Sequence, residues 1–295
     1  MQPSPNQLKG AMMILIASSL VAATTLIAKT LGTDTLGPAL HPSQITAGRF
    51  FFAFSMLAML APFLKLRFVG IPWRLHILRT FFGFLGVSCM FAAATQMPLG
   101  EATAISFLSP IATMMLAIPL LGEKVGPVRW SAAGISCIGA LILIRPGMDA
   151  FQIGALIALT AAIFMGLEMI FLKRLSGLEP AIRILFINNI IGMVLAVTAA
   201  SFFWRDPTPD QWKLLVAIGC VMACAQALYI QAMKYADASF VVPFSYATLV
   251  FATLYDFAVF DVIPDNVSIV GALVIIFGAL FLAFRERQIK RAQSR

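Results

Sequence analysis

Between Glu101 and Glu123 the chain carries no charged side chain. That run is about 20 residues, the length an α-helix needs to cross a hydrocarbon core about 30 Å thick. A related stretch returns half a chain later. Gly100-Glu101-Ala102-Thr103 is echoed by Ala236-Asp237-Ala238-Ser239, and Gly122-Glu123 by Phe260-Asp261. The offset is about 136 residues at the front and about 138 at the back. A half-chain period in an apolar sequence points to duplicated membrane bundles, because solenoid repeats are far shorter.

The chain has 295 residues, of which 60% are hydrophobic and 12% charged. Soluble domains carry about twice that charged fraction, so the surface is built for lipid. Cys89, Cys137, Cys220 and Cys224 all fall inside apolar runs, where Cys acts as a small hydrophobe. His41 and His76, the only histidines, fall in loops between the expected spans. No metal site or cofactor is expected from such a set. Lys9 and the apolar run behind it are too long for a signal peptide and read as a first transmembrane helix.

Hydropathy with Pro, Gly and charge punctuation predicts an all-α polytopic membrane protein of ten transmembrane helices. The spans run Lys9 to Leu31, Ser43 to Leu64, Leu75 to Thr95, Glu101 to Leu121 and Trp130 to Ile144. After the turn Arg145-Pro146-Gly147-Met148-Asp149 come Gln152 to Leu172, Ile182 to Trp204, Trp212 to Met233, Ala238 to Phe260 and Val267 to Phe284. Placing both termini in the cytoplasm puts 16 of the 21 basic residues on that side. The positive-inside rule selects this orientation. It also accounts for the net charge of +8, which needs no nucleic-acid partner. Five spans per half is an odd number, so the halves enter the membrane inverted. Residues 1–148 form the first five-helix repeat, 149–284 the second and 285–295 a basic cytoplasmic tail.

Several local features then resemble a known family. They are Gly48-Arg49-Phe50-Phe51-Phe52-Ala53, Pro98-Leu99-Gly100-Glu101-Ala102-Thr103-Ala104, Pro110 in mid-span, Gly122-Glu123-Lys124, and Gly139 to Gly147 closing the first half. With ten spans in a five-plus-five repeat, they resemble the EamA-type transporters of the drug/metabolite transporter superfamily. The second half departs from the pattern, with Asp261 in place of the usual Glu and Phe260 in place of Gly122. The resemblance covers nearly the whole chain and implies a secondary transporter working by alternating access in a bacterial inner membrane. The fourth span is similar to a branch that includes riboflavin and S-adenosylmethionine uptake carriers.

An ionisable group at the centre of a membrane helix costs at least about 2.5 to 3.5 kcal/mol, so each needs a partner or a task. Arg49 lies inside span 2, either facing a cavity or snorkelling to the outer interface. Glu168 in span 6 and Asp256 in span 9 are candidate coupling or protonatable carboxylates, or else structural pairs with rim charges. Glu101 reads as a helix-start carboxylate complementing the macrodipole. Glu123 with Lys124 reads as a loop pair. Gln96, Thr103, Ser106, Asn188, Asn189, Gln226, Tyr229 and Ser245 are neutral polar residues at membrane depth and candidates for a substrate cavity. Helix packing is the competing use of such residues. Pro110, Pro119 and Pro243 interrupt the repeat-related spans 4 and 9 and are candidate breaks or hinges.

The expected partners are a small-molecule substrate, the lipid bilayer and a coupling proton or sodium ion. No paired-carboxylate, Cys/His, Gly-x-Ser-x-Gly or Walker-type pattern supports an enzyme or a primary pump. A channel fits less well, because channels assemble pores from rings of like segments. Vitamin uptake, with riboflavin the most specific expectation, competes with export of amino acids or other metabolites.

Overall fold

The structure is a computed structural model that describes residues 5–64, 70–121, 127–144, 153–235 and 242–293. These residues form helices and turns, without a strand. The first half contains α1 (Pro5–Leu31), α2 (Pro42–Leu64), α3 (Trp73–Ala94), α4 (Leu99–Ser106), α5 (Ser109–Leu121) and α6 (Pro127–Ile144). The second contains α7 (Ile153–Ser176), α8 (Ala181–Ser201) and α9 (Pro209–Tyr235), then a 3₁₀ turn (Val242–Tyr246), α10 (Ala247–Phe260) and α11 (Asn266–Gln293). With α4 and α5 taken as one broken span, seven helices among the described residues are long and apolar enough to cross a membrane. Shorter apolar segments lie at Phe244–Phe260 and Asn266–Gly278. Large apolar side chains such as Ile16, Phe81, Val194 and Phe277 point outward, as lipid requires.

Each half packs mainly on the other. α1 lies along α9 as α3 lies along α7, α2 crosses α8, and α6 crosses α11. α10 meets α1 as α4 and α5 meet α7. Exchanging the halves maps this set of contacts onto itself, a pseudo-two-fold arrangement.

Hydrophobic transfer drives little helix association in lipid, so close approach of small residues has to serve. Ala155, Ala158, Ala161 and Ala162 put a fully buried small face of α7 against the centre of the bundle. A Cβ added at Gly166 would sit 2.8 Å from that of Ala112, and one at Gly139 would sit 2.8 Å from backbone atoms of α11.

Several expectations need correction. His76 is not in a loop; it lies in the first turn of α3, fully buried. Arg79, one of the 16 basic residues counted on the cytoplasmic side, belongs to the same helix and is buried. Span 4 is two helices. Pro110 has no N–H for the Ser106 carbonyl and its ring crowds that oxygen, so α4 ends at Ser106 and the chain re-enters helix at Ser109. Pro119 lies inside α5, which continues to Leu121, so no break falls there. Membrane helices tolerate proline in this way. Pro243 lies in the 3₁₀ turn that precedes α10, so the repeat-related span 9 is irregular near its start too. The last span does not stop at Phe284; α11 runs on through the basic segment to Gln293. The Glu123–Lys124 pair, the turn Arg145 to Asp149 and the division between 148 and 149 lie outside the described residues.

Candidate functional site

The pseudo-two-fold packing leaves a central cavity of about 340 Å³ between α1, α2, α3, the α4–α5 break, α7, α9 and the 3₁₀ turn. Arg49 supplies the charged group of its lining. Its residue is 6% exposed, so it does not snorkel. The guanidinium lies 4.6 Å from the Phe50 ring centroid, and its Nη1 has no hydrogen-bond partner among the described residues. Thr103 and Ser106 reach the cavity from α4 and Ser109 from the start of α5. Ser245 and Thr248 reach it from the matching irregular stretch of span 9, and Tyr229 from α9. Both broken spans therefore face the same space.

α1 adds Ser18, Thr24 and Thr25. The hydroxyls of Thr24, Thr25, Ser106 and Thr248 donate to carbonyls of their own helix turns. Apolar wall comes from Met90, Met165 and Met222 with Phe91 and Phe107. Phe107 stands edge-on to Tyr246 at 4.8 Å between centroids, which fixes its ring beside the α4–α5 break.

Arg49, Thr103, Ser106, Tyr229 and Ser245 are thus brought together. Gln96, Asn188, Asn189 and Gln226 do not line this cavity. Gln96 sits in the turn after α3 with Nε2 3.4 Å from the Ala92 carbonyl. Asn188 accepts from Thr80 Oγ1 at 3.2 Å, and Asn189 donates to the Leu185 carbonyl at 2.9 Å. These two amides are buried on the face of α8 turned to its neighbours. Gln226 keeps a buried Oε1 without a partner among the described residues, away from the lining.

Glu168 pairs with Arg79 rather than with the basic residues that follow it on α7, at 3.2 Å. A Cβ at Gly83 would fall 2.8 Å from the Glu168 carboxyl carbon, so the glycine makes room for this carboxylate. Glu168 lies one turn after Met165 on α7, beside the cavity and outside its lining. Asp256 faces away from the cavity. It takes Lys29 Nζ at 2.5 Å and the Leu99 N–H at 2.8 Å. One carboxylate thereby joins α1, α4 and α10. Glu101, one turn into α4, accepts from Ser268 Oγ at 2.5 Å on α11. Glu101 and Asp256 border a second, apolar crevice of about 260 Å³.

At the other end His76 Nε2 meets Glu179 at 2.9 Å, and Arg183 meets the same carboxylate at 3.1 Å. Sequence reasoning missed these partners and the Lys29–Asp256 pair. For Lys29 and Asp256 the signal was a basic and an acidic residue in apolar runs of opposite halves, but not the pairing.

A sequence profile of the EamA-like transporter family matches residues 8–145 and 152–284. The chain belongs to the EamA-like transporter family. Among its EamA relatives, an S-adenosylmethionine uptake transporter of Rickettsia bellii is 28% identical over 254 residues, covering 86% of this chain and 87% of its own. A riboflavin transporter of Vibrio cholerae is 29% identical over 250 residues, covering 80% and 82%. A pseudopaline exporter of Pseudomonas aeruginosa is 24% identical over 219 residues, covering 72% and 75%. A solved crystal structure at 21% identity has the same fold, with a TM-score of 0.62, covering 98% of this chain and 99% of its own. This EamA chain is therefore a multi-pass membrane transporter of the drug/metabolite superfamily, and a small molecule is its substrate.

Proposed function

We propose that the protein is a secondary uptake carrier of the bacterial inner membrane whose substrate is riboflavin. The observation that carries this reading is the lining of the central cavity. It offers hydroxyl oxygens on α1, α4 and span 9, a phenol, one guanidinium, thioethers and aromatic rings, and no carboxylate. A flavin needs such a mixture, with apolar wall for its ring system and polar partners for its imide and sugar-alcohol chain. S-adenosylmethionine brings a carboxylate that Arg49 would attract, but its sulfonium and ammonium groups would find no carboxylate in the lining. This places riboflavin ahead of S-adenosylmethionine, although relatives of both kinds are similarly close.

In this reading residues 1–148 and 149–284 are inverted repeats that rock about the cavity, with both termini and the 285–295 tail in the cytoplasm. Moving Arg79 into its span leaves 15 basic residues on that side, so the charge bias still supports the orientation. A proton or sodium ion supplies the driving force.

The test uses a bacterial strain that neither makes riboflavin nor imports it. With this gene, low external riboflavin should support growth and labelled riboflavin should enter the cells. Uptake at the empty-vector level, with the protein demonstrated in the membrane, would sink the riboflavin reading and send the search to export.

A further inference from the structure

Charge does not balance beside the cavity. Arg49 on α2 and Arg79 on α3 are both buried, at 6% and 8% exposure, and both lie within electrostatic reach of one carboxylate, Glu168 on α7. Arg79 Nη2 takes Glu168 at 3.2 Å. Arg79 Nε and Nη1, and Arg49 Nη1, have no hydrogen-bond partner among the described residues. Glu179, in the turn before α8, does not help, because it is already engaged by His76 and Arg183. Two guanidiniums against one carboxylate leave a positive charge and three idle donor nitrogens in a membrane interior. Such donors are costly unless something accepts from them. Gly83 seats Glu168 flush against α3, so the carboxylate has little room to swing between the two arginines.

We infer that Arg49, backed by Arg79 in excess of Glu168, forms an oxyanion subsite in the cavity wall, which lets the flavin site also take a carboxylate or phosphate monoester, as on a phosphorylated flavin. This rests on the reading of the cavity as the transport site. Guanidinium forks match both oxyanions through paired, charge-assisted hydrogen bonds. Of the two arginines, Arg49 lines the cavity directly. Arg79 stands behind it, holding Glu168 and adding to the field.

The test uses the full chain in nanodiscs of zwitterionic lipid, with riboflavin and riboflavin 5′-phosphate followed by quenching of flavin fluorescence. The phosphate should bind about tenfold tighter or more, the scale of one added charge-assisted contact. R49Q should erase that preference and R49K should keep part of it. E168Q removes the compensating carboxylate and should tighten anion binding several-fold, whereas a merely structural Glu168 would weaken it when replaced. Equal affinity for the two flavins, or weaker anion binding in E168Q, overturns the inference and leaves the riboflavin reading standing. If neither flavin binds, benzoate and phenyl phosphate are compared with benzyl alcohol by their effect on the melting midpoint. Stabilisation by the two anions alone, lost in R49Q, keeps the subsite while the riboflavin reading falls. No response to any of them removes both.

Discussion

Arg49 was legible in the sequence because a lone charge in an apolar run demands an explanation, and burial in a polar cavity is one. Asn188 and Asn189 were not. Sequence gives their depth in the membrane but not the direction their helix face takes, and α8 turns them toward packing. The Lys29–Asp256 pair was hidden differently, because partners 227 positions apart leave no local pattern. That pair makes a sharp prediction. Removing one partner of a buried ion pair costs about 3–5 kcal/mol, because the other charge is stranded. K29M should therefore lose about that much stability in denaturant unfolding in detergent. K29M/D256N should recover more than half, since the amide oxygen can still accept from Leu99.

His41, outside the spans, gives a pH prediction. Its ring stacks on Phe203 at 4.2 Å and its Nδ1 lies 2.7 Å from Ser43 Oγ. Burial lowers its pKa from 6.5. A lowered histidine favours the neutral form in the fold. Its contribution is present above pH 6.5 and is lost as pH falls through the ordinary value toward the lower, folded one. The emission of Trp204, next to Phe203, should change over that window in wild type and not in H41F.

Among the helices, length and apolarity carried most of the reading, and proline carried the break. Pro110 set the end of α4 because the steric rule acts at a fixed distance, on the carbonyl four residues back. The same rule did not decide Pro119, where the bundle holds the helix together. Close approach between helices is visible only in three dimensions. Gly134 and Gly139 share α6, yet a Cβ at Gly134 meets nothing within 4 Å while one at Gly139 runs into the backbone of α11. G139A should cost about 1–3 kcal/mol by overpacking. G134A should be neutral or gain up to about 1 kcal/mol from helix propensity. Parallel unfolding curves of the two variants check the contrast.

For the molecule as a whole, the half-chain repeat was legible as a period, and the structure adds what the two copies do to each other. Lys29 of α1 reaches across to α10, and its counterpart Arg174 of α7 reaches across to α5. The first contact is a buried ion pair; the second is an exposed hydrogen bond from Nη2 to the Leu120 carbonyl at 2.8 Å. Of these two contacts the one at the proposed outer end is the more buried, while the inner end has its own buried contact between the halves in His76–Glu179. A cysteine at Ser106, in a background with the native cysteines replaced, should react slowly with a membrane-impermeant thiol reagent applied to intact cells. Adding K29M/D256N should speed that reaction several-fold; an unchanged rate would mean that the pair does not hold the outer end shut.

The three thioethers in the cavity wall have a consequence of another kind. On the proposed alternating-access cycle, the space would carry Met90, Met165 and Met222 past solvent at every turnover. Methionine sulfoxide is polar and chiral, and only dedicated reductases reverse it. Under peroxide the carrier would wear out by working: damage would accumulate with turnovers rather than with time, and a solute resting in the cavity would act as its shield.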